Sequence, residues 1–160
     1  MGGRPSARNV ARMTDVARSD ASAPAAPSDP IAVVRAFLAA LERMDLDAAM
    51  ALADESIVYR NVPFPPARGK GKTRQMLASM MRFGTGFEAI LHNIAADGHI
   101  VLTERTDALE MGRFRAAFWV CGTFEVRDGK VVLWRDYFDM FDVLRGFVAG
   151  LLKLPFRKVR

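Results

Sequence analysis

The chain has 160 residues, is 51% hydrophobic and 26% charged, and carries a formal charge of +5, so it reads as one soluble globular domain with room for an internal pocket. No run of about 18 apolar residues exists, which excludes a transmembrane helix. Cys121 is the only cysteine and His92 and His99 the only histidines, which excludes an intrachain disulfide and a thiolate zinc cluster. The basic residues are scattered, with local excess at the two ends, so no concentrated basic face for nucleic acid is expected.

Residues 1–29 read as a disordered leader, rich in Ala, Ser, Pro, Arg and Asp and without aromatics. Asp15 and Asp20 argue against a transit peptide, and no apolar core marks a secretory signal. A domain over 30–153 follows, and a basic tail over 154–160.

The domain opens at Ser28-Asp29-Pro30, a helix-start signal. Ile31, Val34, Phe37, Leu38 and Leu41 continue with helical spacing. A second short helix starts at Asp45-Leu46-Asp47 and runs through Met50 and Leu52. Ile57 to Asn61 predicts a short strand, ended by Pro63-Phe64-Pro65-Pro66. A helix over Lys72 to Arg82 carries Met76, Leu77, Met80 and Met81, and Gly84 and Gly86 stop it. The methionines read as core that also suits the wall of an apolar pocket.

From Phe87 to Phe138 the chain reads as antiparallel sheet. Strands are expected at Phe87–Ala95, His99–Glu110, Phe114–Val126 and Val131–Phe138, joined by short glycine-bearing turns. Cys121 falls on the outer face with Trp119 and Thr123, as a small buried hydrophobe. His92 and His99 fall near strand ends, on the surface. A last helix over Met140 to Leu152 carries Phe141, Leu144, Phe147, Val148 and Leu151 on one side, with Asp139 and Asp142 capping or starting it. Its apolar side suits a roof over a pocket; a dimer interface and a membrane contact stay open, the latter not favoured. Helices followed by a meander make an α+β domain, a curved sheet folded over helices.

Side chains alternate across a strand. Val132, Trp134, Asp136 and Phe138 therefore share one face, which sets a carboxylate between two large aromatics. A buried carboxylate is paired, protonated or at work. Tyr59 and Asn61 form a second period-two pair, and Arg105 and Asp107 a third. Around them Val101, Leu109, Phe118 and Val120 are expected to point inward. If these faces converge, Arg105 can bridge Asp107 and Asp136 through its rigid fork of donors. Two carboxyls in low dielectric do not ionise with equal ease, so one holds a proton while the other stays anionic. With no Ser-His or Cys-His arrangement, water is the natural attacker. The other reading is a purely structural ion pair between Arg105 and Asp136.

The segments YRNVPFPP, TERTDAL, FWVCGTFEV and LWRDYFD resemble the limonene-1,2-epoxide hydrolase family, within the NTF2-like and SnoaL-like superfamily. The resemblance covers roughly residues 30–148. It implies a cone-shaped fold with a mixed, mostly antiparallel sheet, a homodimer, and no metal or organic cofactor. It implies one-step opening of an epoxide by water to a vicinal diol. By this resemblance Asp136 is the base, Tyr59 and Asn61 help to hold the water, Asp107 is the acid, and Arg105 bridges the two carboxyls. Leu109, Phe118, Val120, Trp134, Phe138 and Met80 are the expected substrate contacts. They suit a hydrophobic epoxide of terpene, lipid or steroid-like shape. A cytoplasmic enzyme is expected. An isomerase or cyclase of the same superfamily, and a non-catalytic module that binds an apolar ligand, are the competing functions.

Overall fold

The computed structural model describes residues 29–156; the leader over 1–28 and the tail from 157 lie outside the described residues. Two helices open the domain, α1 (Pro30–Glu42) and α2 (Leu46–Ala51). Each start is capped by an aspartate: Asp29 accepts from the Ile31 N–H at 3.0 Å and Asp45 from the Ala48 N–H at 2.9 Å. Strand β1 (Ala53–Val62) and the two-residue strand β2 (Ala67–Arg68) precede α3 (Lys70–Met81). The meander is β3 (Gly86–Asp97), β4 (Ile100–Met111), β5 (Phe114–Arg127) and β6 (Lys130–Tyr137), and α4 (Met140–Lys153) follows.

The strands form one sheet in the order β2-β1-β6-β5-β4-β3, with β1 and β6 parallel and the other pairs antiparallel. The chain thus builds the expected α+β arrangement. Its meander ends where the last strand slots beside the first. Strand β1 starts earlier than its apolar stretch suggested, because it takes in Asp54, Glu55 and Ser56, polar residues that are not buried. Strand β2 is too short to leave a pattern in the sequence. The β5–β6 turn uses positive φ at both Asp128 (48°) and Gly129 (71°), the backbone that a two-residue hairpin demands.

The core lies between α1 and the inner sheet face. Val34, Phe37, Leu38 and Leu41 are at most 2% exposed, as the helical spacing predicts. Phe37 sits edge-on to Trp134 and Phe124, with ring centroids 5.2 and 6.4 Å away. Such aromatic pairs add about 0.5–1.5 kcal/mol beyond simple burial.

The inward set departs from expectation at one strand position. Val131 is fully buried in the core and Val132 is not. Pairing to β5 jumps from Glu125↔Leu133 to Val126↔Val131, so an extra residue in β6 reverses the parity before Trp134. Cys121 does lie opposite in parity to the inner row, but it is half-buried rather than buried.

The last helix is also turned from expectation. Val143, Phe147 and Gly150 face the body of the domain, while Phe141, Leu144, Val148 and Leu151 are exposed. The cause is the sheet edge. Strand β6 ends opposite Cys121, so the backbone of β5 from Arg115 to Trp119 has no strand beside it on that side among the described residues. Helix α4 covers this edge. The Trp119 N–H donates to Asp142 at 2.9 Å, and Gly146 and Gly150 lie against the Ala117 and Arg115 carbonyls. A Cβ at either glycine would collide with those oxygens, so the helix docks on its smallest residues rather than its greasiest ones. Asp139 caps α4 by accepting from the Phe141 N–H at 2.7 Å. A 3-10 turn over Leu154–Phe156 continues the helix, and Arg113 donates to the Pro155 carbonyl at 2.9 Å, so the packed chain extends past residue 153. No helix among the described residues is long and apolar enough to cross a membrane.

Candidate active site

The register of four strands sets the site. Asn61 pairs with Asp136, Asp136 with Gly122, and Gly122 with Thr103, which places one row across β1, β6, β5 and β4. The next row runs Tyr59, Trp134, Phe124, Val101. Arg105 and Asp107 continue β4 on the same face as Thr103. The three polar pairs read from the sequence therefore meet, because the strands that carry them are neighbours or reach across a residue without a side chain.

Arg105 is fully buried at the floor. Its Nε and Nη2 donate to the two oxygens of Asp107 at 2.7 and 3.1 Å, and Nη2 also donates to Asp136 Oδ2 at 2.7 Å. Nη1 donates to the Thr103 hydroxyl at 3.1 Å. The guanidinium also lies 5.9 Å from the centre of the Phe124 ring. Asn61 donates to the Tyr59 hydroxyl at 2.8 Å, and Tyr59 stacks on Trp134 with centroids 4.1 Å apart.

Burial opposes every charge here. It pushes the Asp136 carboxyl up to about 6, with the Arg105 charge and hydrogen bond pulling the other way. The Trp134 indole N–H leans toward Asp136 and favours its anion, without reaching good hydrogen-bond geometry. Asp107 is raised by burial, again against Arg105, and the charge of Glu42 raises it further. Burial also lifts Tyr59 above its ordinary value, helped by the Asp136 charge, so it stays a phenol at neutral pH. Burial works against the Arg105 cation too, but the two carboxylates outweigh it and hold the guanidinium charged.

Above this floor opens a cavity of about 480 Å³. Tyr59, Asn61, Asp107 and Asp136 are its polar lining, together with Glu110. Leu109, Phe118, Val120, Trp134, Phe138 and Met80 all line it, as read from the sequence. Trp134 is 3% exposed and contributes mainly as packing behind Tyr59. Met81 joins Met80 on the wall, whereas Met76 packs against the core. Met140, Val143 and Phe147 supply the roof. Leu41, Met44 and Phe87 also line the cavity and were not legible as such. Their signal in the sequence is only apolar character, shared with the core. His92 and His99 are exposed; His92 meets Thr106 at 2.9 Å, away from the cavity.

Known proteins share the sequence and the fold of this chain. A family model described as the limonene-1,2-epoxide hydrolase catalytic domain matches residues 28–149. Epoxide hydrolase EphG of Mycobacterium tuberculosis is 50% identical over 121 residues, covering 76% of this chain and 80% of that protein. The structure of an M. tuberculosis LEH-like epoxide hydrolase superposes with a TM-score of 0.75 at 48% identity, covering 79% of this chain and 95% of the other. A putative SnoaL-like polyketide cyclase from Shewanella putrefaciens shares the fold alone, with a TM-score of 0.68 at 9% identity over 75% of this chain and 96% of that one. The family match spans every strand of the row that carries Asn61, Asp136, Gly122 and Thr103, and with it the cavity above. The chain belongs to the limonene-1,2-epoxide hydrolase family.

Proposed function

We propose that this epoxide hydrolase adds water to a hydrophobic epoxide in one step, with its own side chains as the only catalytic groups. One observation carries the reading: two carboxyls joined by a single buried arginine form the floor of an otherwise apolar cavity, beside a hydrogen-bonded Tyr–Asn pair.

In this reading Asp136 is the base. Its Oδ1 is buried and accepts no hydrogen bond among the described residues, so its lone pairs are not committed to a protein donor. Tyr59 and Asn61 hold that water beside it. Asp107 is the acid and gives its proton to the epoxide oxygen as the C–O bond breaks. The oxygen of water forms the new C–O bond as Asp136 takes one of the water's protons, so a vicinal diol results, with Asp136 protonated and Asp107 left as the anion. Asp107 must be protonated when the epoxide is bound. Burial and the charge of Glu42 favour that state, and an epoxide oxygen accepts a hydrogen bond only from the acid form. Arg105 keeps the pair at one shared proton, since it offsets one negative charge.

The cavity speaks for a bulky apolar substrate of terpene, lipid or steroid-like shape. Its volume lies within the usual range for small-molecule sites, about 300–1,000 Å³. Met44, Met80, Met81, Met111 and Met140 line it, and thioether side chains adapt to irregular ligands. A homodimer belongs to the same proposal, and so does a packed domain that leaves the leader outside it.

The test is a single turnover in heavy-oxygen water with enzyme in excess. Direct attack places the label in the diol on the first turnover. An enzyme-bound ester would deliver an unlabelled carboxylate oxygen first, and that result would sink the one-step reading. Asp136→Asn is expected to remove diol formation by roughly 10²–10⁴-fold or more, the usual reach of acid–base catalysis.

A further inference from the structure

Asp136 and Arg105 do not form the two-bond fork that a carboxylate and a guanidinium usually adopt. Arg105 gives that fork to Asp107 and offers Asp136 a single bond, to Oδ2. Its remaining nitrogen, Nη1, is held by the Thr103 hydroxyl at 3.1 Å. Thr103 is 2% exposed and its hydroxyl reaches on to the Gly122 carbonyl at 3.4 Å. A hydroxyl has one proton and two lone pairs. Donating toward Gly122 leaves it an acceptor for Arg105.

Gly122 makes this arrangement possible. It stands between Thr103 and Asp136 in the row, and an added Cβ would collide with Nη1, lie 2.5 Å from Thr103 Oγ1 and 3.0 Å from Asp136 Oδ1. Nη1 and Asp136 Oδ1 thus border the same small niche. Among the described residues Nη1 donates to the threonine hydroxyl, on the far side of that niche from Asp136 Oδ1.

We propose that Thr103 is a positioning residue: its hydroxyl holds Arg105 Nη1 away from Asp136 and so spares Oδ1 a second charged hydrogen bond, leaving its lone pairs uncommitted for the proton of the attacking water. This rests on the reading of Asp136 as the base. The charged and titratable groups facing Asp136 are Arg105 and Asp107 from β4 and Tyr59 from β1; β5 presents the uncharged Gly122, and from α1 Glu42 acts on Asp107. Thr103 does not line the cavity, so it sets the strength of the base without touching substrate.

Thr103→Val keeps the shape and removes the hydroxyl. Nη1 then turns to Asp136 Oδ1, and the second charged hydrogen bond favours the anion. The acidic limb of kcat/KM is expected to move down by about one pH unit, given the usual strength of such a bond. Plateau kcat falls by roughly tenfold as the base weakens, while KM stays as in the wild type. Thr103→Ser retains the hydroxyl and returns both limb and turnover. A wild-type limb and kcat in Thr103→Val, or equal damage from Thr103→Ser, overturns the proposal. A carbon-13 NMR titration of the aspartate carboxyls reads the same effect without substrate: the Asp136 midpoint falls in Thr103→Val, and an unmoved midpoint overturns the proposal. Asp136→Asn, assayed beside them, separates the two claims. If it keeps turnover, the base assignment fails, whereas the NMR midpoint still decides whether Thr103 governs the bonding of Asp136.

Discussion

At the scale of single residues, the site depends on groups that are costly where they stand. Asp136 is 3% exposed, and burial pushes its carboxyl up to about 6. In its proposed role Asp136 must be ionised, so kcat/KM should fall as pH drops below about 6. In the proposed roles the pair must hold one proton, so activity should also fall once the pair loses it, and the two limbs belong to the coupled pair. A profile flat down to pH 4 would contradict this role for Asp136. The same shift has a consequence for stability. Between 3.8 and about 6 the folded chain binds this proton more tightly than the unfolded chain. The contribution of Asp136 to stability is therefore fully present at low pH and is lost as pH rises through that window. Asp136→Asn removes a buried charge, so at pH 7 it should melt no lower than the wild type while being inactive; calorimetry checks the first half.

At the scale of elements, the strands place the chemistry and α4 closes it in. Helix α4 approaches β5 through Gly146 and Gly150, against backbone that cannot retreat without disturbing the β4–β5 ladder. Gly146→Ala should push the helix outward and lift Val143 and Phe147 from the cavity. Overpacking of this kind costs about 1–3 kcal/mol, enough to raise KM by roughly tenfold, with a smaller change in kcat because the floor is untouched. An unchanged KM would show that α4 is not the roof in solution. The element scale is also where simple alternation failed: one extra residue in β6 turned Val131 inward in place of Val132.

At the scale of the whole molecule, two apolar surfaces are exposed among the described residues. One is the outer side of α4, with Phe141, Leu144, Val148, Leu151 and Leu152. The other is the outer sheet face, with Ile90, Leu102, Trp119 and Tyr137. Contiguous exposed apolar area of this sort marks an interaction surface. The proposed homodimer predicts twice the chain mass by light scattering at micromolar concentration. A lone chain mass would refute it and leave these faces to another partner.

What the sequence determined by itself was local. Period-two spacing marked Tyr59 and Asn61, Arg105 and Asp107, and Trp134 and Asp136 as pairs on single strand faces, because alternation is a property of the backbone. Capping aspartates and glycine turns marked where most elements begin and end, since those signals act within a few residues. The resemblance of the segments bearing these pairs then pointed to the family. Tertiary structure decided what depends on neighbours distant in the chain. It set β6 beside β1, so that Asn61 faces Asp136. It turned α4 onto its glycines, because the free edge of β5 rewards close approach over greasy contact. It also gave Gly122 and Thr103 a place beside the two carboxyls that Arg105 joins. A missing Cβ and a buried hydroxyl carry no signal in one dimension, and they matter only once Arg105 reaches across the niche between them.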